Sequence, residues 1–69
     1  MVYVFKTSVK YKYQIKEIGL QLTNIIQIQK WNFDLQDCDN ILRIEASSLE
    51  TEIICQLLTT LNYTCIELL

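Results

Sequence analysis

The chain has 69 residues, of which 51% are hydrophobic and 20% are charged, with a formal net charge of -2. This length allows one small domain, because independently folding domains span about 50 to 250 residues. We therefore predict a single domain over residues 1–69. The apolar content excludes a disordered chain, and the acidic balance, with a pI ≈ 4.8, excludes a general phosphate-binding surface.

The sequence contains three cysteines, Cys38, Cys55 and Cys65, and no Cys-x-x-Cys pair. An odd number without this spacing predicts neither a disulfide framework nor a zinc site, and it fits the reducing cytoplasm. The first residues have none of the features of a secretory signal. The longest uncharged run, residues 53–66, is too short for a membrane span. We expect a cytoplasmic protein that does not enter the membrane.

The first part of the chain predicts a strand followed by a helix. Residues 2–7 are rich in β-branched and aromatic side chains and predict strand β1. From about Lys12, apolar residues recur three or four apart, which predicts helix α1. Gly19 lies at the edge of this apolar stripe, where a missing side chain lets a helix approach a sheet closely. The stripe consists of Tyr11, Ile15, Ile18, Leu22 and Ile25 or Ile26.

Two alternating segments follow. Residues 30–34 place Trp31 and Phe33 on one face and polar side chains on the other, which predicts strand β2. Turn-forming residues at 36–40 lead into a second alternating segment, residues 41–46, which we predict as strand β3. Together they predict a hairpin with one buried face.

A second helix and a last strand complete the chain. Ser47 and Glu50 have the spacing of a capping box, which predicts the start of helix α2. Asn62 stands where helices commonly end in a left-handed residue, and residues 63–69 return to strand composition as β4. The apolar stripe of α2 consists of Leu49, Ile53, Ile54, Leu57 and Leu61.

The order βαββαβ with two amphipathic helices predicts an α+β, ferredoxin-like fold. In this fold a four-stranded antiparallel sheet is covered on one face by both helices. Right-handed crossovers give the strand order 4-1-3-2. The loop between β1 and α1, the hairpin at 37–40 and the junction at 61–63 then lie at one end of the sheet, where loops would build a site.

The other face of the sheet carries no helix in this fold. On β1 either Val2 and Val4 or Tyr3 and Phe5 point toward this uncovered face, depending on the parity of the strand, and Ile41 joins them from β3. An exposed apolar patch of this kind favours self-association or the docking of a partner.

Four segments carry a family resemblance: VFKTSV at residues 4–9, WNFDL at 31–35, ILRIE at 41–45, and Leu61-Asn62-Tyr63 in place of the usual Leu-Gly-Tyr. Through them the chain resembles a heavy-metal-associated domain over nearly its whole length. This is the fold of small copper chaperones and of the N-terminal modules of copper-transporting ATPases. The resemblance implies the ferredoxin-like fold already predicted.

The metal loop of that family is altered here. The resemblance would place two metal-binding cysteines of a Met-x-Cys-x-x-Cys loop where Lys10 and Tyr13 stand, and neither a protonated ammonium nor a phenol is a soft-metal ligand. We therefore expect no bound metal at these positions and no cofactor. The alternative is copper or zinc binding or trafficking through relocated cysteines, with Cys38 and Cys65 as candidates, since both are predicted near the same end of the sheet.

Lys10, Tyr11, Lys12 and Tyr13 form the predicted interaction site. Positive charge interleaved with aromatic side chains suits an acidic protein partner, because complementary potential orients the encounter. RNA-recognition domains share the element order, but they stack bases on aromatic residues of the central strands, and β3 has none. We predict a protein partner or a homo-oligomer, and no nucleic acid.

We expect no enzymatic activity. The chain has no histidine, and no nucleophile, acid–base pair or phosphate-binding loop is recognisable. Acylphosphatases share the fold but need an arginine in the first loop, whereas the one arginine here is Arg43 on β3. Asp34, Asp37 and Asp39 lack the spacing of an EF-hand and suit a turn, and Cys55 is expected to be exposed and inert. Small-molecule sensing has no specific support. The sequence therefore predicts a non-catalytic interaction module.

Overall fold

The computed structural model describes residues 1–68, which form six elements in the order βαββαβ. All neighbouring strands are antiparallel, and the sheet order β2-β3-β1-β4 is the predicted order 4-1-3-2 read from the opposite edge. The α+β, ferredoxin-like fold is therefore confirmed. The strands are β1 (Val2–Thr7), β2 (Ile28–Asp34), β3 (Ile41–Ala46) and β4 (Cys65–Leu68), and the helices are α1 (Lys12–Thr23) and α2 (Thr51–Thr60).

The strand register decides which face of the sheet is buried. Phe5 pairs with Leu42, and both side chains are completely buried in the core. Because side chains alternate along a strand, Tyr3 points to the same side as Phe5 and packs against the core. Val2 and Val4 therefore lie on the uncovered face, which settles the parity of β1.

The hydrophobic core lies between the sheet and the two helices. From α1 it receives Ile18 and Leu22, and from α2 it receives Ile54 and Leu58, all four fully buried. Burying one such side chain contributes roughly 1.5–3 kcal/mol to the stability of the fold. These four residues therefore stabilise the packing of both helices on the sheet. No helix within residues 1–68 has both the length and the apolar character needed to cross a bilayer.

Gly19 allows α1 to approach β2 closely, as predicted. A Cβ atom on Gly19 would lie 2.6 Å from Cη2 and 2.7 Å from Cζ2 of the Trp31 indole. The Trp31 ring also packs edge-on against Phe33, with the ring centroids 6.1 Å apart. The helix can occupy this position because residue 19 has no side chain.

The buried stripe of α1 is shorter than predicted. Tyr11 is the N-cap residue of the helix and is 57% exposed, because its backbone is extended and the helix begins only at the next residue. Ile26 is 94% exposed, because the helix has already ended three residues before it. Tyr11 was therefore wrongly assigned to the stripe, whereas of the two alternatives Ile25 and Ile26 it is Ile25 that packs against the core.

Helix α2 begins later than predicted, and most of its predicted apolar stripe faces the core. Glu50, rather than Ser47, is the N-cap residue. Ile54 and Leu58 are fully buried, whereas Ile53 is exposed. Leu49, Leu57 and Leu61 of the predicted stripe also pack against the core. Ile53 was therefore wrongly assigned to the stripe, and the buried Leu58 was missed.

A Schellman motif ends α2. Asn62 has a φ of 71°, and its backbone N–H donates to the carbonyl of Thr59 at 2.9 Å. The N–H of Tyr63 donates to the carbonyl of Leu58 at 2.8 Å. These two bonds and the left-handed residue define the motif. They confirm the predicted role of Asn62. Strand β4 begins at residue 65, two residues later than predicted.

Candidate functional site

Hydrogen bonds bring three loops together at one end of the sheet. The backbone N–H of Thr7 donates to the carbonyl of Asp39 at 3.2 Å, and the buried Thr7 hydroxyl donates to the carbonyl of Asn40 at 2.6 Å. Beside them, the N–H of Ser8 donates to the carbonyl of Thr64 at 3.3 Å, and the Ser8 hydroxyl accepts the N–H of Thr64 at 2.9 Å. The predicted meeting of these loops is confirmed.

The residues predicted for interaction lie where the first of these loops enters α1. We call Lys10, Tyr11, Lys12 and Tyr13 the lysine–tyrosine surface; all four side chains are exposed. The Gln14 side-chain oxygen accepts the backbone N–H of Lys10 at 2.8 Å and that of Tyr11 at 3.0 Å. Because these donors precede the first helical hydrogen bonds, the Gln14 side chain fixes the entry of the chain into the helix.

Two aromatic rings of this surface stack on one another in solvent. The ring centroids of Tyr11 and Tyr13 are 5.7 Å apart, and the ring planes differ by 6°. Tyr13 is 69% exposed, and Tyr11 is nearly as accessible. The pair forms a solvent-exposed aromatic stack with a hydroxyl on each ring. Tyrosine is enriched among the residues that dominate binding energy at protein interfaces.

The lysines near this tyrosine stack form no ion pair within the described part of the chain. The two ion pairs formed there involve other cations, Lys6 and Arg43. Lys10, Lys12 and Lys16 therefore contribute uncompensated positive charge. Lys10 and Lys12 lie at the N-terminal end of α1, where the helix dipole adds positive potential, and Lys16 follows one turn later. The surface attracts negative groups.

A tyrosine from the junction after α2 contacts α1 next to this surface. The hydroxyl of Tyr63 donates to Oε1 of Glu17 at 3.0 Å. Burial, the hydrogen bond to Glu17 and the charge of Glu17 raise the pKa of Tyr63 above its ordinary value. The phenol is consequently protonated at neutral pH and holds α1 to this junction.

Two of the three cysteines are in contact. Sγ of Cys55 on α2 lies 3.4 Å from Sγ of Cys65 on β4, and both side chains are half-buried. The expectation that Cys55 is exposed was wrong, because Cys55 follows the buried Ile54 on α2 and its side chain contacts Cys65 of β4. The sequence suggested Cys38 and Cys65 as candidate metal ligands, whereas in the structure Cys65 contacts Cys55.

The third cysteine lies in the hairpin between β2 and β3. Cys38 is exposed, and its Sγ is 4.0 Å from a carboxylate oxygen of Asp39. Within residues 1–68, Asp37, Cys38 and Asp39 are the one cluster of three potential metal ligands, with ligand atoms within 4.8 Å of one another. Asp37 already accepts the backbone N–H of Asp39 at 2.9 Å, which is the turn role predicted for these aspartates.

The environment of Cys65 disfavours the ionised form of its thiol. Burial raises the pKa of the Cys65 thiol, and the contact with Cys55 raises it further. At neutral pH Cys65 is therefore a protonated thiol, and it reacts only when its proton is lost.

The uncovered face of the sheet is apolar along one edge. Val2 and Val4 from β1 lie beside Ile66 and Leu68 from β4, and Val2, Ile66 and Leu68 are exposed. Ile41 was expected to extend this patch, but it is only 5% exposed and lies between Lys6 of β1 and Asp34 of β2.

Comparison of the sequence with protein-family models finds no match, and comparison with curated proteins finds no significant match either. The resemblance to heavy-metal-associated domains therefore stays a prediction drawn from the sequence segments that suggested it. Three features of the structure bear on function: the lysine–tyrosine surface, the contact between Cys55 and Cys65, and the uncovered face of the sheet.

Proposed function

We propose that this chain is a non-catalytic interaction module that binds an acidic segment of a partner protein through the lysine–tyrosine surface. The observation that carries the proposal is the solvent-exposed stack of Tyr11 on Tyr13 among uncompensated lysines. In this proposal the scaffold is a heavy-metal-associated-like domain whose metal loop has been replaced, and the protein works in the cytoplasm.

The exposed charges and the exposed aromatic rings contribute to the proposed binding in different ways. Exposed charges give orientation and a faster encounter, but each pair adds only about 0.2–1 kcal/mol. The stacked rings of Tyr11 and Tyr13 supply rigid apolar area that loses little conformational entropy when covered. An acidic segment with apolar side chains uses both, because its carboxylates meet the lysines while its apolar groups cover the rings.

The orientation of β1 supports a protein partner over RNA. Domains of this topology that bind RNA stack bases on aromatic side chains of the uncovered sheet face. Here Tyr3 and Phe5 face the core, and the uncovered face presents Val2 and Val4 from β1. Base stacking on β1 would require Tyr3 and Phe5 to point toward the uncovered face, which is the opposite of their observed orientation.

A binding experiment with matched charge reversals tests the proposal. The probe is a short fluorescein-labelled peptide rich in glutamate and containing two leucines, followed by fluorescence anisotropy. We expect the double variant Lys10→Glu and Lys12→Glu to weaken binding about tenfold, which corresponds to ~1.4 kcal/mol. The control is Lys30→Glu, an exposed charge reversal on β2, which leaves the affinity unchanged.

Further variants separate charge from ring contact. Replacing Tyr11 and Tyr13 by alanine weakens binding at high salt as well as low salt, whereas the effect of the lysine reversals diminishes as salt rises. Equal affinities for the Lys10/Lys12 reversal and the Lys30 control would contradict the proposal. Amide shift changes on the uncovered sheet face would assign the interaction to that face, and tighter binding of a single-stranded RNA would assign it to nucleic acid.

A second candidate function is soft-metal binding through Cys55 and Cys65, favoured by their 3.4 Å sulfur contact. Two thiolates on one tetrahedral zinc stand roughly 3.8 Å apart, given Zn–S bonds of about 2.3 Å. The pair offers only two ligands, and metal binding needs both thiols deprotonated, which the raised pKa of Cys65 disfavours. The lysine–tyrosine surface is therefore the better-supported site.

Native mass spectrometry of the reduced protein tests this second candidate, with copper(I) or zinc added under thiol competition. Stoichiometric metal that is lost in Cys55→Ser and retained in Cys38→Ser would support it. Metal-free protein at the same competitor concentration would remove it, and the same spectra report whether the protein is a monomer or a dimer.

A further inference from the structure

We infer that Cys55 and Cys65 form an oxidation site that closes reversibly into an intramolecular disulfide. Their sulfurs are already in contact at 3.4 Å. A disulfide bond measures about 2.05 Å, so the sulfurs need to approach by only about 1.4 Å. This inference is independent of what the lysine–tyrosine surface binds.

The backbones that carry the two thiols are fixed before the bond forms. Cys65 is the first residue of β4 and pairs with Thr7 of β1. Cys55 lies in the middle of α2, directly after the buried Ile54. The geometry is therefore a property of packed elements, and closure needs side-chain movement without unfolding.

The two thiols differ in access, which sets the order of events. Cys55 lines an open depression along α2, and Cys65 does not line it. A dissolved oxidant therefore meets Cys55 first, and Cys65 acts as the resolving thiol. The other residues lining the depression are Glu52, Gln56, Thr59 and Thr60.

The oxidant class we assign is a small disulfide such as oxidised glutathione. The Cys55 thiol loses its proton, attacks one sulfur of the oxidant and expels one glutathione thiolate, which leaves a mixed disulfide. Cys65 then loses its proton and attacks Sγ of Cys55, which breaks the mixed disulfide and expels the second glutathione; the raised pKa of Cys65 makes this the slower of the two steps. The two protein thiols lose two electrons and two protons, and two molecules of reduced glutathione form.

Cys38 provides an internal reference for the test. It is an exposed thiol on the hairpin, so it forms mixed disulfides or cross-links chains. The variant Cys38→Ser removes these side reactions without disturbing the core and retains the pair. The decisive measurement is made on this variant, because its folding does not depend on a change at Cys55 or Cys65.

The experiment titrates Cys38→Ser with mixtures of oxidised and reduced glutathione, followed by denaturation, iodoacetamide alkylation and intact mass measurement. We expect both thiols to be lost together, with a mass lower by two hydrogen atoms and full recovery in excess reductant. Adding Cys55→Ala or Cys65→Ala abolishes the closed form and leaves a single thiol or its glutathione adduct. Two alkylatable thiols throughout the titration, a stable double adduct, or a disulfide between chains would overturn the inference.

Discussion

The substitution Gly19→Ala tests whether the closeness of α1 to β2 is a steric requirement. The new Cβ would lie 2.6 Å and 2.7 Å from two atoms of the Trp31 indole, well inside van der Waals contact. The indole is rigid, and its retreat is opposed by the edge-on contact with Phe33. We therefore expect the substitution to displace either the ring or the helix.

Two opposing effects determine the size of the change in stability. Alanine in place of glycine inside a helix gains about 1 kcal/mol in propensity. Overpacking of a well-packed site costs about 1–3 kcal/mol. The steric term exceeds the propensity term, so Gly19→Ala lowers the free energy of unfolding by about 1 kcal/mol net. For a domain of this size that corresponds to a melting temperature lower by about 4–8 °C.

Urea unfolding followed by circular dichroism measures this effect. The control is Gln21→Ala at an exposed position of the same helix, which leaves the stability nearly unchanged. In a double-mutant cycle, Trp31→Phe removes the atoms that clash, so the added methyl group becomes favourable in that background. If Gly19→Ala alone raises the stability by the full propensity gain, the indole moves freely and the steric argument is refuted.

Two further predictions concern the end of α2. Asn62→Gly preserves the stability, whereas Asn62→Ala lowers the free energy of unfolding by roughly 1 kcal/mol, because the left-handed conformation disfavours a side chain without local hydrogen bonds; chemical denaturation that gives equal values for the two variants would contradict this. Tyr63 titrates above the ordinary tyrosine pKa, and Glu17→Gln lowers this pKa while keeping a hydrogen-bond acceptor. Since the folded-state pKa is raised, the stabilisation is complete below about pH 10 and is lost as the pH rises through the folded pKa. A ¹³C-labelled tyrosine titration in which Tyr63 matches the unfolded chain would refute the assignment.

Strands β2 and β3 were predictable because apolar and polar side chains alternate along them, whereas β1 is apolar on both faces and its parity could not be predicted. In β3 the apolar Leu42 and Ile44 alternate with charged residues, so one register buries the right face. Helix α2 has no such contrast, since Ile53 and Ile54 are adjacent and each begins an apolar stripe. The sequence could not show that Ile54 is buried while Ile53 is exposed, and for the same reason it did not reveal that Cys55 is half-buried.

The candidate sites differ in how far local pattern could reveal them. The exposure of Lys10 and Tyr13 follows from charge and position, and the structure agrees. The stack of Tyr11 on Tyr13 was not predictable from helical periodicity, because Tyr11 precedes the helix in an extended conformation. The contact of Cys55 with Cys65 depends on the turn at Asn62, which folds β4 back along α2, and no local sequence pattern encodes that distance.

The lysine–tyrosine surface can change its chemistry with little effect on the fold. Its loop is held by backbone hydrogen bonds to the Gln14 side chain and by the bonds between Ser8 and Thr64, none of which involves a surface side chain. Apolar packing next to it comes from Val9, which is fully buried. Substitutions at Lys10 and Lys12 therefore leave the core intact, and a loss of binding in these variants reports on the surface itself.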